Sequence, residues 1–112
     1  MTKEECIAAI KKLDRECIDE VQQIRKKFAR KKKLTLNFWA YNNARFNIGD
    51  IIECQGKVIQ VDKITADYGN TYIGELLYCT YQGVTLTKQL KPRKDGERTS
   101  FYDDGREIKK IR

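Results

Sequence analysis

A chain of 112 residues with 40% apolar and 35% charged side chains has material for one modest core, being too apolar for a disordered polymer and too charged for a membrane protein. Its 23 Lys and Arg against 16 Asp and Glu leave a net charge of +7, which favours anionic partners. Histidine is absent, removing the commonest general base, the commonest metal ligand and every Ser-His or Cys-His pair, so a non-enzymatic protein is expected.

Thr2 with Glu5 three residues later fits a capping box and predicts a helix start. Apolar residues recur at Cys6, Ile10, Leu13, Cys17, Val21, Ile24 and Phe28, with Ile7 and Ile18 widening the stripe. The pattern repeats after eleven residues, close to the natural helical period, so one nearly straight amphipathic helix is expected over about residues 3–31. Glu4 and Glu5 at its start and the basic residues at its end match the helix dipole. Such a helix is about 43 Å long, longer than a small β-domain is wide, so part of the stripe should overhang and pair with a second copy or another partner.

From Leu34 the apolar period reads as two, with Leu36, Phe38 and Ala40 on one face and Trp39 and Tyr41 on the other, predicting a connector strand followed by a turn at Tyr41 to Ala44 within residues 34–45. Short strands follow at Asp50 to Cys54, Lys57 to Thr65, Thr71 to Tyr81, Val84 to Lys91, Arg98 to Tyr102 and Glu107 to Ile111. Turns are expected at Gln55-Gly56, Gly69-Asn70, Gln82-Gly83 and Asp104-Gly105. The expected fold is α+β: a single domain of a helix (1–33), a connector (34–45) and a small antiparallel SH3-like β-barrel (46–112), sharing one core.

The segment Phe46-Asn47-Ile48-Gly49-Asp50-Ile51-Ile52 resembles the first strand of many SH3-like barrels. With the loop Leu90-Lys91-Pro92-Arg93-Lys94-Asp95-Gly96-Glu97-Arg98, residues 46–112 resemble short phage and prophage proteins with such a barrel. The resemblance implies a genomic context and a fold, with no catalytic motif to carry over. It also implies, as an alternative function, an inhibitor of host defence that binds a host protein or sequesters a signalling nucleotide.

No apolar run approaches the roughly 20 residues that cross a bilayer, and Met1 to Leu13 mixes charge with apolar residues rather than forming a signal-peptide core; a cytoplasmic location is expected. Cys6, Cys17, Cys54 and Cys79 show no metal or redox spacing. They are expected to be reduced and mostly core-facing, with neither metal nor cofactor. Asp103-Asp104 and Asp50 with Glu53 read as turn and strand residues rather than as a catalytic pair.

Three groups remain as candidate binding residues. Arg25, Lys26, Lys27, Arg30, Lys31, Lys32 and Lys33 place seven cations and no acid in residues 25–33, enough to release counterions from a polyanion. Trp39 and Tyr41 would lie nearby for base stacking. Lys91, Arg93, Lys94 and Arg98 would contribute from a loop. These residues predict a module that engages an anionic partner, nucleic acid first, with a host protein or a signalling nucleotide as alternatives. Homo-oligomerisation through the N-terminal helix is also expected, and no membrane.

Overall fold

A computed structural model describes residues 1–112. The fold is α+β, one long helix followed by a five-stranded antiparallel sheet. Two compact units are distinguished, Met1–Leu34 and Thr35–Arg112.

Helix α1 runs over Lys3–Asn43, 41 residues, or about 62 Å. It starts as the sequence predicts, with the Glu5 amide donating to Thr2 Oγ1 at 3.1 Å. It does not stop at residue 31, and the connector strand and turn expected over residues 34–45 are absent. No Gly or Pro interrupts the chain before Gly49. The alternation that reads as a strand also satisfies helical spacing: Leu36, Trp39 and Ala40 lie on one side and pack in or against the core of the second unit. Burial of Ala40 to 1% outweighs the β-branched and aromatic propensities that favour a strand. The helix ends at Asn42 and Asn43, whose side-chain amides donate back to the carbonyls of Phe38 and Trp39, each at 2.9 Å, while the Ala44 amide donates to the Ala40 carbonyl at 2.9 Å.

After the turn at Asn47 to Asp50, strands β1 (Ile51–Cys54), β2 (Lys57–Thr71), β3 (Gly74–Thr85), β4 (Arg98–Tyr102) and β5 (Lys109–Lys110) follow. They pair in the order β4-β3-β2-β1-β5. The sheet is not closed, because β4 and β5 lie at its two edges. The Gln55-Gly56 turn forms as expected, with both residues at positive φ.

The turns expected at Gly69-Asn70 and Gln82-Gly83 do not form: both pairs lie inside strands, and the chain reverses at Tyr72-Ile73. Gly83 marks close approach rather than reversal. A Cβ there would sit 1.9 Å from the Gln60 carbonyl oxygen, beside the register shift between Val61 and Lys63, and glycine at a bulge serves that purpose. The strand expected at Val84 to Lys91 ends at Thr85, where a turn from Thr87 to Leu90 takes over, its amide bonded back at 2.9 Å and Leu90 at φ 60°.

One core lies within the second unit: Ala40, Phe46, Ile52, Cys54, Ile59, Val61, Ala66, Cys79, Tyr81, Phe101 and Ile108. Along β3 Cys79, Thr80 and Tyr81 are all buried, the Thr80 hydroxyl being satisfied by the Asp67 carboxylate. In the first unit every residue from Met1 to Leu34 is exposed. Cys6 and Cys17 are therefore not core-facing as expected, whereas Cys54 and Cys79 are buried. No helix is long and apolar enough to cross a membrane.

Candidate functional site

The seven cations from Arg25 to Lys33 stand exposed on α1. Because α1 continues to Asn43, they lie in the helix interior and no basic residue occupies its last turn. The helix dipole acts within the terminal turns, so it gives this cluster none of the support expected from a helix end. Lys26 with Arg30, and Arg30 with Lys33, stand at the i,i+4 and i,i+3 spacings where like charges repel. The ion pairs of Arg45, Lys57, Arg93, Arg98, Arg106, Lys109 and Lys110 all belong to the second unit, and Arg25, Lys26, Lys27, Arg30 and Lys33 have none. Lys31 Nζ lies 5.2 Å from the centre of the Phe28 ring, a cation–π contact that positions it without neutralising it. Gln23, Ile24, Lys26, Lys27 and Arg30, with Glu20, line an open groove of about 540 Å³ on this stretch.

Trp39 and Tyr41 do not share a strand face. On a helix they are two residues apart and point to different sides. Trp39 packs against the core of the second unit, whereas Tyr41 is 87% exposed. Tyr41 borders a cleft of about 510 Å³ with Asn37, Ala44, Phe46, Asn47, Ile48 and Ile64. A flat ring beside apolar walls and two asparagine amides can stack a base or an aromatic side chain.

The loop cations differ among themselves. Arg93 donates to Glu97 at 2.5 Å and to Asp95 at 3.0 Å, and Arg98 forms a two-pronged pair with Asp62 at 2.7 Å on both arms. That hydrogen-bonded pair raises the Arg98 pKa and lowers that of Asp62. Both guanidinium groups thus spend their directional bonds within the chain, whereas Lys91 and Lys94 are exposed without an ion pair.

Among the other aromatics, Tyr81 is fully buried. Its hydroxyl accepts from the Arg45 amide at 3.0 Å and donates to Asp103 at 3.4 Å, and burial pushes its pKa up to about 12. Asp103 is held by the Arg45 guanidinium at 2.8 and 2.9 Å, and Arg106 engages Asp104 at 3.2 Å; both carboxylates have structural partners. Sequence reasoning misses the β2–β3 hairpin end as a surface feature. Tyr72 and Ile73 at its turn are 100% and 74% exposed, with Tyr68, Leu76 and Leu77 also exposed beside them. Placing a loop at Gly69-Asn70 and a strand over Thr71 to Tyr81 hid them, because the chain reverses at Tyr72-Ile73 instead.

Comparison with protein-family models, with curated proteins and with solved structures gives no match.

Proposed function

We propose that the chain is a non-enzymatic binding module whose anchor for an anionic partner, nucleic acid first, is the cluster Arg25, Lys26, Lys27, Arg30, Lys31, Lys32 and Lys33. The observation that carries this reading is the position of the cluster. Seven cations without an intervening acid sit inside a long helix, where the dipole gives nothing back and neighbouring charges repel. A polyanion offsets that repulsion and gains from released counterions. In the second unit Tyr41 offers an exposed stacking face of its own, and Lys91 and Lys94 are exposed cations there. An SH3-like character for the sheet and a cytoplasmic location are parts of the same proposal.

The test is charge reversal. Fluorescence anisotropy with labelled single- and double-stranded DNA and RNA should show the Lys31→Glu, Lys32→Glu, Lys33→Glu variant binding every sequence more weakly. Its salt dependence should be shallower by about three counterions. Unchanged affinity would remove the cluster from the site.

The exposed hairpin end of Tyr72 and Ile73 favours a second reading, in which the protein docks on a host protein and the basic cluster steers the encounter. Affinity purification that recovers one dominant protein, undisturbed by nuclease, would support it. Copurified small molecules identified by mass spectrometry would support its signalling-nucleotide form.

A further inference from the structure

The apolar stripe of the first unit is uncovered: Ile10, Leu13, Val21, Ile24 and Phe28 are each at least 40% exposed. Cys6 and Cys17 lie exposed on the same stripe. It runs over a seam about 33 Å long, far more continuous than the scattered apolar residues normal on a monomer. We propose that a second copy of this chain covers it, in an antiparallel helix pair whose twofold axis passes at Cys17.

The spacing along Cys6, Ile10, Leu13, Cys17, Val21, Ile24 and Phe28 is 4, 3, 4, 4, 3, 4, the same read in either direction from Cys17. An antiparallel twofold interface demands that symmetry, because each residue must meet the one equally far beyond the axis on the other chain. Ile10 then meets the partner's Ile24, Leu13 meets the partner's Val21, and Cys6 lies opposite the partner's Phe28, a small side chain facing a large one. Cys17 meets its own copy.

Charge selects this direction over the parallel one. A parallel pair would set two clusters of seven cations side by side. The antiparallel pair sets residues 25–33 along residues 1–9, whose side chains carry Lys3, Glu4 and Glu5, and it opposes the two helix dipoles. Glu5 then flanks the partner's Lys27. The acidic stretch Asp14, Arg15, Glu16, Asp19 and Glu20 faces its own copy at a cost. A register shifted by eleven residues would match that stretch to the basic cluster but set Ile10 against the partner's Thr35 and Leu13 against the partner's Lys32. Solvent-exposed charge pairs are worth less than buried apolar layers, so the axis stays at Cys17.

Two variants, each lacking one of the exposed cysteines and keeping the buried Cys54 and Cys79, decide the matter at dilute protein, with a short bifunctional maleimide as cross-linker and a denaturing gel as readout. Cys6→Ser retains Cys17 and is expected to give a covalent dimer. Cys17→Ser retains Cys6, which lies about 33 Å from its copy in the antiparallel pair, and is expected to stay uncross-linked. Dimer formation through Cys6 would overturn the proposal in favour of a parallel pair, and failure to cross-link through Cys17 would overturn the register. Light scattering adds a readout independent of cysteine. The wild type should have twice the chain mass at micromolar concentration and Leu13→Glu the mass of one chain, with unchanged near-ultraviolet circular dichroism from the second unit. A wild type of single-chain mass would also overturn the proposal. Neither assay contains nucleic acid, so the outcome is separate from that of the polyanion reading.

Discussion

The stretches Met1–Leu34 and Thr35–Arg112 use the same kinds of residue to opposite ends. In the second, Ile52, Ile59, Val61 and Tyr81 are at most 1% exposed and the pattern is satisfied within the chain. In the first, an equally regular apolar stripe stands exposed and seven cations crowd nine residues with no acid among them. An uncovered apolar stripe and a dense charge cluster are statements about other molecules, and the two proposals start from them.

The contrast can be broken by substitution. Gly83→Ala drives a methyl into the Gln60 carbonyl and should destabilise the second unit by about 3 kcal/mol in denaturant unfolding followed by Trp39 fluorescence. Ile10→Ala, although it truncates a large side chain, acts on an exposed one and should leave that transition within about 0.5 kcal/mol; comparable losses would erase the distinction.

Alkaline titration sharpens it further. Tyr81 has its pKa pushed up to about 12 by burial, so folding favours the neutral phenol. The stabilisation is complete below the unfolded value near 10 and is lost as pH rises towards 12, amounting to roughly 2 to 3 kcal/mol. Unfolding at stepped pH should show this fall, and Tyr81→Phe should lack it while being less stable at neutral pH, having lost the acceptor for the Arg45 amide.

The most local effect belongs to the helix start. Thr2→Ala removes the acceptor for the Glu5 amide and should cost about 1 kcal/mol locally, read as faster hydrogen exchange in the first turn with no change in the sheet.

The α+β class, the helix start, the Gln55-Gly56 turn and β4 were legible in the sequence because each rests on local chemistry: a cap, left-handed turn residues, a short strand between breakers. The far end of α1 was not, because Leu34 to Tyr41 suits either period and only the packing of Leu36, Trp39 and Ala40 against the core decides. Gly83 misled for a related reason: a glycine needed for close approach looks the same in sequence as one needed for a turn. Of the candidate site, the cluster at residues 25–33 was legible as charge, but its place in the helix interior was not. The engagement of Arg93 and Arg98 by Asp95, Glu97 and Asp62 is a tertiary fact that loop composition does not encode.

A salt series measures most directly whether the helix-borne cations hold a polyanion, as proposed. Binding of the wild-type protein to labelled duplex and single-stranded DNA and RNA should weaken linearly on a log–log plot, with a slope of about −4 to −6 if most of the seven cations displace counterions. Absence of binding at low salt, or binding indifferent to salt, would contradict the account.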